Sequence, residues 1–430
     1  MKGCSHGKIN PAYFERVHHT MLRRFNRETK LFLTATLLFG LSFSVWELFF
    51  NLYILSLGFN SDMLGLIRSA TPLAALILGL PLGLLSDRIG RRASMLIGLL
   101  IGFVGMVFEV RLLNPYLIFM FGLIQGAGFM LYHVAQPPFI MSVSKPEDQA
   151  LIFSLNFGLL TAASTIGSLV AGQIPEWIEG WLGLTQGTAA SYQWVITAGV
   201  LLATTSIIPI FLLPKDRAAR TAEVNRVPVK TVLRKLVARP IVRRLALINL
   251  IIGFGAAILI PYLNVFLRQK FAISNDLLGT IFAMSSLLVF IGSLITPWLV
   301  RITRSRVIPT VVTQSASIVF LFLLGFSPFL WLAAVSLLMR NVLMQMSSPL
   351  LENYAMMISA PEEQGAITSV RGMGWQTGQA IGIFVSGLVQ TRFGFSPLFI
   401  TTGLLYAAAT FLTWIFFRAE EKEMQQVSAA

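Results

Sequence analysis

The chain has 430 residues, of which 55% are hydrophobic and only 12% charged, and its formal net charge is +14. An ordinary soluble domain carries roughly 25% charged residues, and surface-to-volume scaling stops a single core from absorbing so much apolar surface. Nucleic-acid binding does not fit either, because the positive charge falls in short segments between long apolar runs, the pattern that orients membrane helices.

Residues 1–30 are polar and basic, with the single cysteine, Cys4. They are too long and too charged for a typical signal peptide and read as a cytoplasmic tail. A spanning helix needs about 20 mostly apolar residues. Such runs occur at 31–57, 62–86, 93–111, 114–141, 149–174 and 191–213. After a basic connection they resume at 245–267, 277–300, 307–326, 328–357, 365–390 and 394–417. The fourth run contains Pro137 and Pro138, breaks that are tolerated where neighbouring helices satisfy the freed backbone groups. The connection, 214–244, holds ten basic and two acidic residues. Its second half, 229–237, reads either as an amphipathic helix on anionic lipid or as a solvated linker. Residues 418–430 read as a second cytoplasmic tail. The expected fold is an all-α membrane protein of twelve transmembrane helices, in two pseudo-symmetric six-helix bundles over 31–213 and 245–417.

An even number of spans puts both termini on one side. If that side is cytoplasmic, its segments hold 26 Lys and Arg, against 4 on the opposite face, namely Arg111, Arg268, Lys270 and Arg392. The asymmetry predicts both termini inside a plasma (cytoplasmic) membrane.

The two halves echo each other. Pro146, Glu147, Gln149, Ile152, Ser154, Ile166, Gly167, Val170 and Gly172 recur 215 residues later as Pro361, Glu362, Gln364, Ile367, Ser369, Ile381, Gly382, Val385 and Gly387. Asp62 and Gly65 recur as Asp276 and Gly279, and Asn51 recurs as Asn264. Helices 1, 2 and 5 thus match helices 7, 8 and 11 in order. A parallel repeat of six helices belongs to transporters whose halves rock about a central site.

The turn between helices 2 and 3 reads GxxxDRxGRR, from Gly83 through Asp87, Arg88, Gly90, Arg91 and Arg92. It resembles the signature loop of the major facilitator superfamily, at the expected place. The glycines suit close approach and tight turning. Asp87 suits the positive N-terminus of a neighbouring helix, and the resemblance implies that it helps latch the halves in an outward-facing state. The arginines either pair with acids and lipid phosphates or only fix topology. In the second half the loop is degraded: Gly83, Asp87 and Gly90 map to Pro297, Arg301 and Arg304. Gln125, Gly126 and Gly128 of helix 4 resemble proton-coupled members, but Gly122 stands where those members carry an arginine. Helix 5 lacks the Gly-Pro pair of the drug-antiporter signature.

Charge inside a bilayer is costly and usually has a function or a partner. Five such side chains fall well inside the spans: Glu47, Arg68, Arg340, Glu352 and Arg371. At ~1.5 Å per residue, Glu47 lies about 15 Å below the outer end of helix 1 and Arg68 about 9 Å below the outer start of helix 2. Glu47 therefore either carries a coupling proton in the central cavity or forms a structural pair with Arg68. Arg340 either binds an anionic group in the cavity or bonds a polar neighbour such as Asn341. Glu352 and Arg371 form either a cytoplasmic gate pair or a static one. Asn51, Gln125 and Gln376 either line the path or tie helices together. His133 is either a titrating group or a packed one, and Trp375 either meets a lipophilic substrate or packs.

No ATP-binding loop, HExxH or CxxC occurs, so no cofactor, metal or enzymatic activity is expected. The expected partners are a small-molecule substrate, membrane lipid and protons, and the expected state is a monomer. The expected function is a secondary transporter working by alternating access. The family resemblance implies export of a small lipophilic compound more often than uptake. An uptake symporter for an organic anion and a lipid or lysolipid translocator are the alternatives.

Overall fold

The computed structural model describes residues 25–185, 187–214, 239–357 and 364–429. The linker segment 229–237 and most of the N-terminal tail lie outside them. Twelve helices cover the described residues almost completely. The first half comprises α1 (Arg27–Ser56), α2 (Ser61–Ile89), α3 (Arg91–Arg111), α4 (Pro115–Val143), α5 (Pro146–Leu182) and α6 (Ala189–Phe211). The second comprises α7 (Pro240–Phe271), α8 (Asn275–Thr303), α9 (Val307–Phe326), α10 (Leu330–Met357), α11 (Gln364–Phe393) and α12 (Ser396–Ala429). Eleven are long and apolar enough to cross a membrane. The twelfth, α11, carries Arg371, Gln376, Gln379 and Gln390.

Local chemistry explains the ends. The Asn26 side chain accepts the Thr29 amide at 2.9 Å and starts α1. Proline opens α4, α5 and α7, where its missing N–H costs no helical bond. Gly90 joins α2 to α3 at φ +91°, which only glycine adopts without strain. Pro261 interrupts α7 with a single 3-10 turn at Ile260–Tyr262, because it cannot donate and its ring crowds the preceding turn. α4, by contrast, runs unbroken through Pro137 and Pro138. α5 and α12 extend beyond the apolar runs at 149–174 and 394–417, because an apolar run marks the bilayer and not the end of a helix.

Inner and outer here denote the Lys/Arg-rich face and its opposite. The halves meet where α2 packs on α11, where α5 packs on α8, and at the outer ends of α1 and α7. Glycines make the first two contacts. A Cβ on Gly65 would lie 2.8 Å from the Gly387 Cα, and one on Gly279 would lie 2.8 Å from the Gly172 Cα. The Asp62 amide donates to Thr391 Oγ1 at 2.9 Å beside the first pair. These contacts close the outer side of the interface.

Candidate transport site

A cavity of about 270 Å³ opens between α1, α2 and α4 of the first half and α11 of the second. Its α1 residues, Phe43, Trp46 and Glu47, precede Asn51 at the seal. Its α2 residues, from Arg68 to Ala75, follow Gly65. Its α11 residues, from Trp375 to Ile383, precede Gly387. On all three helices the cavity therefore lies on the inner side of the seal, an inward-facing arrangement.

One wall is aromatic and thioether-rich, built from Phe43, Trp46, Phe129, Met130 and Trp375. Phe39 and Phe43 stack at 5.3 Å, and each meets Phe129 edge-on, which fixes the rings. The polar groups converge opposite. Arg68 grips Glu47 through both terminal nitrogens, at 3.0 and 3.3 Å. Glu47 nevertheless keeps 46% of its side chain exposed, against 14% for Arg68. Thr71 Oγ1 donates to Gln125 Oε1 at 3.1 Å, and Gln379 anchors to the Gly253 carbonyl at 3.1 Å. His133 and Gln376 also line the cavity, with Gln136 3.3 Å from His133 Nδ1.

The other sequence candidates lie elsewhere. Asn51 is buried at the outer seal, bonding Asn264 and the Pro261 carbonyl. Arg340 does not line this cavity. It is 4% exposed inside the second half, where it donates to Asn341 Oδ1 and Tyr406 Oη, both at 2.7 Å. Tyr406 also offers its ring face at 5.5 Å. The side chain of Glu352 lies outside the described residues, so its pairing with Arg371 is not described. Asp87 is exposed on the inner face, and no hydrogen bond or ion pair ties it to another described residue. Its neighbours Arg88 and Arg91 are exposed and half-buried. Arg92 instead bonds the Phe211 carbonyl and covers that ring, which ties α3 to the end of α6. Gly83 has room in this arrangement, since a Cβ there would meet Val134 at an ordinary 3.6 Å.

A buried acid of the first half escaped the sequence reading. Glu109, in the last turn of α3, is 2% exposed, and its Oε1 has no hydrogen-bond partner among the described residues. Its position near the end of an apolar run made it look like a boundary residue. An acid two residues inside such a run was the signal available.

The sequence model described as the Major Facilitator Superfamily matches residues 31–356 and, again, 245–430. The chain belongs to the major facilitator superfamily. A superfamily member from Bacillus subtilis (strain 168), the uncharacterized MFS-type transporter YhjO, is 24% identical over 419 residues, covering 95% of this chain and 98% of that protein. The fold is also that of superfamily members of known structure. The nucleoside transporter NupG superposes with a TM-score of 0.72 at 15% identity, over 91% of this chain and 100% of that one. A D-xylose-proton symporter gives 0.71 at 14% identity, over 91% and 97%. A bacterial homologue of the lysosomal transporter Spinster, in an inward-facing and unoccupied conformation, gives 0.66 at 13% identity, over 92% and 96%.

Proposed function

We propose that this superfamily member is a proton-coupled secondary transporter that exports a small lipophilic compound bearing a cationic group. The observation that carries the reading is the Glu47 carboxylate, half exposed opposite the aromatic wall of Phe43, Trp46, Phe129 and Trp375. Aromatic faces and a carboxylate are the groups that recognise a desolvated organic cation. A cytoplasm that is electrically negative opposes cation export by about 2.3 kcal/mol per charge per 100 mV, so export needs a drive. Exchange for a proton supplies one and keeps the cycle neutral. The organic-anion alternative rested on Arg340 facing the cavity, and its guanidinium is engaged by Asn341 and Tyr406 instead.

The test is thermal unfolding of purified protein against lipophilic cations, organic anions, sugars, amino acids and lysolipids. A ligand at about 100 times its dissociation constant stabilises by ~2.7 kcal/mol. Lipophilic cations are expected to raise the transition of the parent protein and not that of Glu47→Gln. Stabilisation by anions or lysolipids alone would overturn the reading.

A further inference from the structure

The first half carries two membrane-embedded carboxyls, Glu47 and Glu109, and one guanidinium between them, Arg68. We propose that Arg68 is shared: it pairs with Glu47 while Glu109 holds a proton, and a cationic substrate that takes Glu47 hands Arg68 to Glu109, which then releases that proton. The inference deepens the proposed proton coupling and rests on it for its role in transport.

The geometry supplies the parts. Arg68 spends its two terminal nitrogens on Glu47, and its Nε is buried without a hydrogen-bond partner among the described residues. Glu109 Oε1 is likewise buried without a partner among the described residues. An orphan donor and an orphan acceptor therefore face one region of the same bundle. Buried polar atoms are normally satisfied, so such a matched pair calls for an explanation. A turn of the Arg68 side chain from one acid to the other satisfies both atoms.

Among the described residues, no side chain forms an ion pair with Glu109. Arg68 comes from α2 between Ile67 and Ala70, whose carbonyl oxygen and Cβ lie 3.6 and 2.9 Å from the point that a Cβ on Gly122 would occupy. Gly122 of α4 faces it with backbone, and a Cβ there would lie 3.5 Å from Glu109 Oε2. α6 presents the Gln193 amide, which is taken by the Val110 carbonyl at 2.8 Å. Arg111, on α3 itself, lies over the Trp194 ring at 5.7 Å. The helices packed on α3 also carry Asp62, Asp87, Arg88, Tyr116, Tyr132, His133 and Tyr192, and Tyr53 of α1 donates its hydroxyl to the Val110 carbonyl at 2.6 Å. His133 lies eleven residues beyond Gly122, about 16 Å along the helix.

Charge balance fixes the order of events. Two ionised carboxylates against one guanidinium leave a net negative charge in a desolvated bundle, which is costly. One proton on Glu109 makes the trio neutral. A substrate cation on the exposed face of Glu47 also makes it neutral once Arg68 has moved. The Glu109 O–H bond then breaks and its proton passes to water on the cytoplasmic side. One cation is loaded as one proton leaves.

The test needs no substrate. Infrared difference spectra of the full chain in lipid nanodiscs, recorded as pH is varied, report a protonated carboxyl through its C=O stretch. At neutral pH the parent is expected to show such a band, Glu109→Gln to lose it, and Glu109→Asp to keep it at a shifted frequency. Glu47→Gln, which frees Arg68, is expected to lower the pH at which the band persists by at least one unit. Arg68→Gln is expected to add a second band. Each variant is compared only if its unfolding transition matches the parent within a few degrees, and Glu109→Asp serves where Glu109→Gln does not. A neutral-pH band that survives Glu109→Gln, or one indifferent to Glu47→Gln, overturns the proposal. Accumulation of tetraphenylphosphonium by proteoliposomes under a pH gradient reads the coupling separately. If the parent shows none while the bands behave as stated, proton coupling fails and the shared arginine stands.

Discussion

Asn51 and Asn264 occupy equivalent places in the two halves of the chain and bond each other across the interface between them. Asn51 Nδ2 donates to Asn264 Oδ1 at 3.1 Å, and Asn264 Nδ2 donates to the Leu48 carbonyl at 2.8 Å. Each asparagine thus ties its own helix to the other's, at the outer ends of α1 and α7. Their amides are buried, so the pair is shielded from competing water.

The pair should behave as one unit. Interhelical side-chain hydrogen bonds in membranes are worth about 0.6 kcal/mol on average and up to about 1.7. A double-mutant cycle of Asn51→Ala and Asn264→Ala, by equilibrium unfolding in bicelles, is expected to give a coupling in that range. Additive single effects would show that the two act independently.

Arg340 gives a different kind of prediction. Its charge sits in the second half with no acidic partner among the described residues, held by Tyr406 and Asn341, which itself donates to Ser285 at 2.7 Å. Removing one partner of a buried polar group costs about 1–3 kcal/mol, while replacing both by apolar groups is nearly neutral. Tyr406→Phe is therefore expected to lower the thermal transition, and adding Arg340→Met to recover part of the loss. A Tyr406→Phe protein as stable as its parent would contradict this structural reading of Arg340.

Helix number and the half-chain repeat were legible because they depend on apolar length and on residue identity alone. The repeat marked Gly65 with Gly279 and Gly172 with Gly387 as equivalent. It did not say that Gly65 meets Gly387 and Gly172 meets Gly279, because equivalence within a chain does not specify contact across a pseudo-twofold axis. Depth was legible too, so Glu47 and Arg68 were seen as within reach. Rotation about the helix axis was not, and that decides whether Arg340 faces the cavity or Tyr406. Glu109 was obscured because a helix end in sequence need not be an exposed end in the bundle. The start of α4 rises past it and buries it.

The last helix reaches back to start another. Glu421 of α12 accepts from Ser305 Oγ and the Arg306 amide, both at 2.5 Å, and is held by Arg418 at 3.2 Å. A carboxylate at the start of α9 satisfies orphan amides and complements the helix dipole. Loss of a cap costs about 0.5–2 kcal/mol, which corresponds to roughly 2- to 30-fold faster local opening. Hydrogen exchange of the Arg306 and Val307 amides should accelerate by that factor in Glu421→Ala, while α1 to α6 stay unchanged. A uniform acceleration across both halves would mean that the cap supports global stability and not this one helix start.

The glycine contacts predict which way the protein is biased. Gly387 touches Gly65 backbone to backbone, and Gly172 touches Gly279 in the same manner, so the outer face is closed by two pairs that leave no room for a side chain. Overpacking such a contact costs about 1–3 kcal/mol, or roughly 5- to 150-fold in a two-state equilibrium. The cost falls on the inward-facing state, because rocking the halves apart on the outer side separates these helices. Gly387→Val should therefore favour the outward-facing state. The reporter is a cysteine in the cavity, Trp375→Cys, in a Cys4→Ser background, labelled by a membrane-impermeant maleimide applied from outside. Labelling is expected to be slow with Gly387 intact and at least five-fold faster with Gly387→Val. Gly180→Val, near the outer end of α5 where a Cβ would meet nothing, controls for substitution near that face. If Gly387→Val and the control label at the same rate, the glycine pair does not hold the outer gate.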